Sequence, residues 1–220
     1  MHYIQLKILS ALTLTDSARY SQIKPKDIES NLFIYHLRQL IKAKLVVKNA
    51  DGTYSLSSAG KAYADKVSMS SYKLRSQAKI VNLIACENKA GKFLLYRRKR
   101  QPFIGLAGFP YGKVHLGETI KESSEREFNE KTNMNARLSH RGDVYVTVFS
   151  DGTLISHTLF HIHTGTNPRG KLKEETPIGY CYWETIDENN PGDYFPGFLE
   201  IYRLIKAKPR QRFFAEYTFQ

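Results

Sequence analysis

Five glutamates crowd the stretch from Gly112 to Met134, GKVHLGETIKESSEREFNEKTNM. They are Glu118, Glu122, Glu125, Glu127 and Glu130, with Arg126 among them. Carboxylates this close repel one another unless a cation lies between them. At about 100° per residue, a helix places Glu127 and Glu130 on one face, and oxygen ligands suit a hard cation such as Mg²⁺. The stretch therefore predicts a helix that binds a divalent ion.

The spacing within this stretch is more specific than its charge. Gly112, five residues, Glu118, seven residues and then the run from Arg126 to Glu130 resemble the signature of the Nudix family, hydrolases of nucleoside diphosphates linked to another moiety. The resemblance implies Mg²⁺ or Mn²⁺ as cofactor, with Glu127 and Glu130 as its ligands. It also implies that Glu127, Glu130 and Arg126 form the catalytic group and that Arg126 holds the helix to its own loop. Glu122, four residues before Arg126, is its predicted partner.

Two positions depart from the family pattern. Asn133 stands where the family has Gly, and Asn tolerates the left-handed conformation that ends many helices. Lys131 stands where the family has a third Glu, four residues after Glu127, and this spacing predicts an ion pair between them. Three outcomes stay open: a domain that binds a diphosphate through its own positive charge, a weakly active site helped by Glu174 or Glu175, or a helix that is only scaffold.

Cationic and aromatic side chains surround the motif. Four cations in a row, from Arg97 to Arg100, follow an apolar run of strand length. They could be solvated, bind nucleic acid or contact a ligand diphosphate. The residues expected to contact the ligand are Arg97, Arg98, Lys113 and Lys131. The aromatic residues that could stack on a base or belong to the core are Phe103, Phe109 and Tyr111.

Three histidines, His157, His161 and His163, fall on one face of a predicted strand. Zinc is bound by imidazole, thiolate and carboxylate groups, but no Cys or Asp joins these histidines at a ligand spacing. We therefore expect no metal site on this strand.

The N-terminal third contains a sharply two-faced helix within DIESNLFIYHLRQLIKAKLVVK. Phe33, Leu37, Leu40 and Ile41 share its apolar face, and His36 at the edge of that face is predicted to be packed. The opposite face carries side chains that can pair with base edges or bind phosphates. Together with a lysine of the following strand, the residues predicted to bind DNA are Asn31, Tyr35, Arg38, Gln39, Lys42 and Lys48.

Three helices followed by a hairpin are predicted in the N-terminal third, and the two-faced helix is the third of these helices. The helices are expected from Tyr3 to about Leu14, from Ala18 to Ile23 and from Asn31 to Lys42, the strands at 45–48 and 53–56, and one more helix at 57–65. The tract is similar to winged-helix domains of bacterial transcription regulators, which implies DNA as a partner. Winged helices also serve as protein-interaction modules, and that alternative stays open.

Apolar runs of strand length follow a polar segment at 67–77 that is predicted to be a linker. Strands are expected at 80–85, 93–96, 144–149, 154–163 and 180–184, and a last helix at 198–205. This order matches the α/β/α sandwich that the Nudix resemblance implies. The predicted fold class is α/β, with a winged helix-turn-helix domain at 1–66 and a Nudix-like domain at 78–220.

Charge and composition limit the kinds of partner and the cellular location that we expect for this protein. The net charge is +12, and residues 1–76 hold 12 Lys or Arg against 5 Asp or Glu, which favours a polyanionic partner. No apolar run approaches the roughly 20 residues that span a bilayer, and the N-terminus lacks the features of a signal peptide, so a cytoplasmic location is expected. Cys86 and Cys181 are expected to be small core residues.

Together these features predict a DNA-binding transcriptional regulator that acts as a homodimer. Its Nudix-like domain would bind a nucleoside-diphosphate-type effector with weak or no hydrolysis. The alternative is a Mg²⁺-dependent Nudix pyrophosphohydrolase whose N-terminal domain serves dimerisation or nucleic-acid contact.

Overall fold

The computed structural model describes residues 1–68, 71–207 and 211–220. Contacts between residues divide the chain into two units, Met1–Gln77 and Ala78–Gln220. The segment 67–77, predicted as a linker, belongs to the first unit, where Val67 pairs with Leu74 and the ring of Tyr72 packs on Tyr3. None of the described helices combines the length and apolar character needed to cross a membrane.

The elements of the first unit follow the predicted order. They are α1 (Tyr3–Leu12), α2 (Tyr20–Ile23), α3 (Ser30–Lys42), β1 (Val46–Lys48), β2 (Tyr54–Leu56) and α4 (Ser58–Ala64). Strands β1 and β2 form an antiparallel hairpin. An isolated antiparallel bridge between Ala18 and Tyr54 adds a third segment beside β2, which was not predicted from the sequence. Helix α4 approaches the hairpin closely at Gly60, where an added Cβ would lie 1.9 Å from the carbonyl oxygen of Leu45.

The apolar face of α3 forms the centre of the first unit's core. Phe33, Leu37 and Leu40 are at most 3% exposed and pack with residues of α1, α2 and β1. His36 is also buried, and its ring stacks on that of His2 with centroids 4.1 Å apart, so the prediction of a packed histidine is confirmed.

Among the described residues, the second unit contains eleven strands, two α-helices and one short 3₁₀ turn. The strands are β3 (Lys79–Glu87), β4 (Phe93–Arg98), β5 (Ala107–Gly108), β6 (Tyr111–Lys113), β7 (Met134–Asn135), β8 (Ser139–Ser150), β9 (Thr153–Thr166), β10 (Arg169–Gly170), β11 (Glu175–Thr176), β12 (Gly179–Glu184) and β13 (Phe213–Phe219). The helices are α5 (Ile120–Thr132) and α6 (Phe198–Ala207), with one 3₁₀ turn at Pro191–Asp193.

Nine of the described strands form one mixed sheet. Its main order is β11-β12-β4-β3-β9-β8-β13, with β5 beside β4 and β6 beside β3. The pairs β3–β9 and β13–β8 are parallel and the other pairs are antiparallel. Strand β13 was not predicted, because its partner β8 lies more than 60 residues earlier and no turn signal announces the pairing.

Each face of this sheet is covered by one helix. On one face, Phe128 of α5 packs with Ile84, Cys86, Leu94 and Cys181, so both cysteines are core residues as predicted. On the other face, α6 packs against the alternate residues of β3, β4 and β8. A mixed sheet between two helices agrees with the predicted α/β class and sandwich layers.

Candidate functional site

Helix α5 carries the predicted carboxylates and has defined ends. At its start, the Thr119 hydroxyl accepts from the Glu122 amide, while the Glu122 carboxylate accepts from the Thr119 amide at 2.9 Å. This capping box satisfies N–H groups that have no partner within the helix. Glu122 is therefore part of the cap and does not pair with Arg126 as predicted. The helix ends at Asn133 in the left-handed conformation, with φ of 56°, as predicted.

The guanidinium of Arg126 joins three carboxylates and a loop. Its Nε and Nη2 donate to Glu118 at 2.5 and 2.8 Å, and its Nη1 donates to Glu127 at 2.8 Å and to Glu130 at 3.3 Å. Nη2 also donates to the backbone carbonyl of Lys113. The hydrogen bonds from Arg126 lower the pKa of Glu118 from 4.5 to about 2, and they raise the pKa of Arg126. Arg126 thus holds the helix to its own loop, as the resemblance implied.

Glu127 lies against strand β6 and is 8% exposed. Its carboxylate occupies the space over Gly112, where an added Cβ would lie 1.7 Å from Oε2. A glycine at this position is therefore what admits the Glu127 carboxylate to the edge of the sheet. Glu130 lies one turn further along α5, and its side chain is 59% exposed.

Lys131 lies against aromatic rings. Its ammonium is 5.0 Å from the ring centroid of Tyr96 and 5.4 Å from that of Tyr111, within the range of cation–π attraction. Burial lowers the pKa of Lys131. The predicted ion pair with Glu127 does not form between these two described side chains, because Glu127 is paired with Arg126 and Lys131 has turned to the rings.

The described carboxylates of α5 are one short of the three acidic positions of the metal centre that the resemblance implied. Mg²⁺ and Mn²⁺ prefer oxygen ligands such as carboxylates. Glu127 and Glu130 share the Arg126 guanidinium, and Lys131 places a cation at the third acidic position. Glu175, considered as a substitute ligand, is paired with Lys99.

The two arginines expected to contact a ligand make hydrogen bonds within the protein. Arg97 donates to the carbonyl of Gly105 at 2.8 Å and to the hydroxyl of Tyr182 at 3.1 Å. Arg98 donates to the hydroxyl of Tyr111 and to two backbone carbonyls of the following loop. Of these two arginines, Arg98 lines the cavity described next and Arg97 does not.

A cavity of about 210 Å³ lies on the α6 side of the sheet. Its lining combines cations with aromatic rings, among them Arg98, Arg100, Lys113, Phe103, Tyr111 and Phe195. Tyr111 lines the cavity, and its ring centroid is also 5.4 Å from the Lys131 ammonium. Phe109 also reaches the cavity wall, but at 1% exposure it is a core residue.

In the first unit, the structure places the predicted DNA-binding residues at the surface. Asn31, Tyr35, Arg38 and Lys42 are exposed on α3, Lys48 is exposed at the end of β1, and Gln39 is half-buried. Tyr35 is 56% exposed, which is high for an aromatic side chain. The polar side chains of α3 thus form a continuous accessible face opposite its buried residues.

A cluster of titratable residues on β8 and β9 was missed by sequence reasoning. His161 Nδ1 is 2.6 Å from Oδ1 of Asp143, and His140 Nε2 is 2.9 Å from the same oxygen. His163 is 3% exposed and pairs with Asn82, and burial lowers its pKa to about 4. Counting the hairpin register outward from the predicted turn at 150–152 would have placed Asp143 opposite Phe160, because the pairing shifts by one residue between Val148 and Phe149.

Comparison with known proteins identifies similar sequences and folds. The NUDIX domain model matches residues 77–205. The ADP-ribose pyrophosphatase of Methanocaldococcus jannaschii is 30% identical over 96 residues, which cover 42% of this chain and 56% of that protein. The match thus spans little more than half the length of this curated relative.

Two solved structures share the fold of the second unit. The NUDIX domain of Shewanella oneidensis NrtR, crystallised with ADP ribose, has a TM-score of 0.53 at 14% identity, covering 70% of this chain and 99% of that one. A NUDIX hydrolase from Nitrosomonas europaea has a TM-score of 0.52 at 20% identity, covering 62% and 93%. At these identities the likeness concerns the fold alone.

Proposed function

This chain belongs to the NUDIX family, and on that premise we propose that it is a DNA-binding regulator whose second unit binds a nucleoside-diphosphate-type effector with weak or no hydrolysis. The observation that carries the proposal is the set of cations among the carboxylates of α5. Arg126 joins Glu127 and Glu130, and Lys131 stands where a third carboxylate would be. Metal-assisted cleavage needs acidic ligands at these positions, whereas a diphosphate is attracted by positive charge.

The cavity supports a nucleotide as the effector. Aromatic walls can stack on a base, and Arg98, Arg100 and Lys113 offer positive charge to phosphates. The Lys131 ammonium lies against the ring of Tyr111, which lines this cavity. ADP-ribose is the first ligand to test, because the relative that is 30% identical is named as an ADP-ribose pyrophosphatase.

We expect ADP-ribose to bind the full chain without Mg²⁺, and Lys131→Met to weaken that binding about tenfold, because the variant removes a positive charge that lies against Tyr111 in the cavity wall. Isothermal titration calorimetry measures both affinities. Lys121→Met is the matched control, because Lys121 is an exposed lysine on the same helix. Binding that requires Mg²⁺, or equal losses in both variants, would contradict the proposed role of Lys131.

The first unit supports DNA as the partner. It carries a net charge of +7, and α3 presents Asn31, Arg38 and Lys42 to solvent. These are side-chain types that read base edges or bind phosphates. A helix with one buried and one polar face, followed by a hairpin, is the arrangement of a winged helix-turn-helix, in which such a helix enters the major groove.

We expect Arg38→Ala to weaken DNA binding about tenfold or more, because removing one base or phosphate contact costs about 1–3 kcal/mol. Mobility shifts with genomic fragments at low salt measure the effect. Lys61→Ala is the matched control, since Lys61 is exposed in the same unit but lies on α4. Absence of any shift in the wild type, or equal losses in the two variants, would overturn the assignment.

We further propose that the protein acts as a homodimer and that the effector changes its affinity for DNA. Adding ADP-ribose to the same mobility-shift titration should move the midpoint, and by linkage DNA should change the affinity for ADP-ribose by an equal factor. Sedimentation of the full chain measures the oligomeric state.

The alternative function is a Mg²⁺-dependent pyrophosphohydrolase, and the name of the relative that is 30% identical favours it. It predicts that the wild type releases AMP from ADP-ribose with Mg²⁺ or Mn²⁺ and that Glu127→Gln abolishes this. The proposed regulator predicts little or no release by the wild type, and release gained only in Lys131→Glu.

A further inference from the structure

We propose that His140, Asp143 and His161 form a binding site for a zinc-type transition-metal ion, separate from the carboxylates of α5. His140 and Asp143 lie on β8, and His161 lies on the neighbouring strand β9. One ligand atom from each residue lies within 4.8 Å of the other two. The proposal does not depend on the proposed function, because it uses different elements of the fold.

The register of the two strands brings the three side chains together. Asp143 is directly opposite His161 in the antiparallel ladder, and cross-strand neighbours have Cβ atoms about 4.5–5.5 Å apart. An irregularity in the pairing between His140 and Gly142 shifts the alternation of β8 at this point. It lets His140, three residues before Asp143, present its ring on the same face as the aspartate. The site is therefore built into a paired ladder and does not lie on a loop.

The distances suit tetrahedral coordination after a small adjustment. With metal–ligand distances of about 2.0–2.1 Å, neighbouring ligand atoms of a tetrahedral zinc site are about 3.3 Å apart. Oδ1 of Asp143 is 2.9 Å from the His140 nitrogen and 2.6 Å from the His161 nitrogen. Each contact would have to lengthen by less than about 1 Å, which side-chain torsions can supply.

The ligand types distinguish this site from the carboxylates of α5. Two imidazoles and one carboxylate select Zn²⁺, Co²⁺ or Ni²⁺ over Mg²⁺, which prefers oxygen alone. The three side chains are 30%, 36% and 17% exposed, in the order His140, Asp143, His161. A metal held there would keep its fourth position open to water or a small ligand.

Buried neighbours restrain the cluster from within the sheet. His163 packs with its ring centroid 5.4 Å from that of His140, and its Nε2 is 3.0 Å from the side-chain oxygen of Asn82. Both His163 and Asn82 are at most 3% exposed. Restrained surroundings of this kind fix ligand orientation in metal sites.

The test uses full-length, tag-free protein stripped of metal by a chelator and titrated with Zn²⁺, and separately with Co²⁺, whose visible absorption reports tetrahedral coordination. We expect one equivalent to bind, and His161→Asn and Asp143→Asn each to weaken Zn²⁺ binding by about 100-fold or more, since even outer-shell changes cost 10–100-fold. Asp143→Asn is nearly isosteric, so it keeps the test valid if His161→Asn fails to fold.

Two control variants locate the site. His157→Asn removes a histidine of the same strand that packs on Tyr145 outside the cluster, and Glu127→Gln with Glu130→Gln removes the carboxylates of α5. Both should retain the wild-type Zn²⁺ affinity. The proposal is overturned if the wild type binds no Zn²⁺ in competition with a weak chelator, if Asp143→Asn and a folded His161→Asn both bind as the wild type does, or if a control loses as much affinity as the ligand variants. In the first case the triad is a hydrogen-bonded structural group.

Discussion

Replacing Phe128 with Ala is expected to lower the free energy of unfolding of the second unit by about 3–5 kcal/mol. Phe128 is 1% exposed and is the residue of α5 that packs with Ile84, Leu94 and Tyr96 on the sheet. Removing its ring deletes the apolar contacts between helix and sheet and leaves a cavity between them. Glu127 directly precedes Phe128 in the chain. Loss of the Phe128 packing should therefore also leave the Glu127 carboxylate less firmly positioned.

Trp183, the only tryptophan, reports on this change, because it packs against the same cluster. Its fluorescence during urea unfolding, excited at a wavelength that tyrosine does not absorb, measures the second unit, because the tyrosines of the first unit then do not contribute. Phe214→Ala is the matched control: the same side chain is removed from a position that is 70% exposed, so a change within about 0.5 kcal/mol is expected. Similar losses in both variants would show that the packing of α5 is not what stabilises the unit.

Local patterns in the sequence predicted the helices that carry the candidate residues. Helix α5 was expected from the Nudix-like spacing, and the left-handed end at Asn133 from its residue type. Helix α3 was expected from its two faces, and the structure buries Phe33 and Leu37 while exposing Arg38. These predictions succeeded because helical periodicity depends only on residues a few positions apart.

Features that depend on distant parts of the chain were not predicted. Strand β13 pairs in parallel with β8, and His140 meets His161 only through the register of a hairpin. A sequence reading that considers one strand at a time cannot see either contact. The prediction about the histidines of β9 therefore left out Asp143, whose carboxylate contacts both His140 and His161.

Competition between partners explains the errors within α5. Arg126 was assigned to Glu122, four residues earlier, but Glu122 satisfies the helix N-terminus, and Glu118 from the preceding loop takes its place. Lys131 was assigned to Glu127, but Glu127 already accepts from Arg126. Spacing gives the neighbours available to a side chain, whereas the choice among them depends on the surrounding fold.

Arg126→Met should lower the free energy of unfolding of the second unit by about 2–4 kcal/mol at neutral pH. Breaking a buried ion pair from one side costs about 3–5 kcal/mol, and the 23% exposure of the Arg126 side chain reduces that figure. Methionine keeps the apolar stem, so the loss comes from the carboxylates of Glu118 and Glu127, which are left without their shared donor. Urea unfolding followed by Trp183 fluorescence measures it.

Arg203→Met is the matched control, because Arg203 forms a single exposed ion pair with Glu188 on the same unit, and a change below about 1 kcal/mol is expected. Comparable losses in the two variants would contradict the special position of Arg126.

The pH dependence supplies an independent signature of the same interaction. The pKa of Glu118 is about 2 in the folded chain against an ordinary value of 4.5, because Arg126 donates to its carboxylate. Between these two pH values the unfolded chain binds a proton that the folded chain does not. The stabilisation is therefore complete above pH 4.5 and is lost as the pH falls toward 2. In Arg126→Met the pKa of Glu118 should return toward 4.5, so unfolding free energy should fall less steeply over this range than in the wild type. Equal slopes in the two proteins would show that Arg126 does not hold Glu118 ionised.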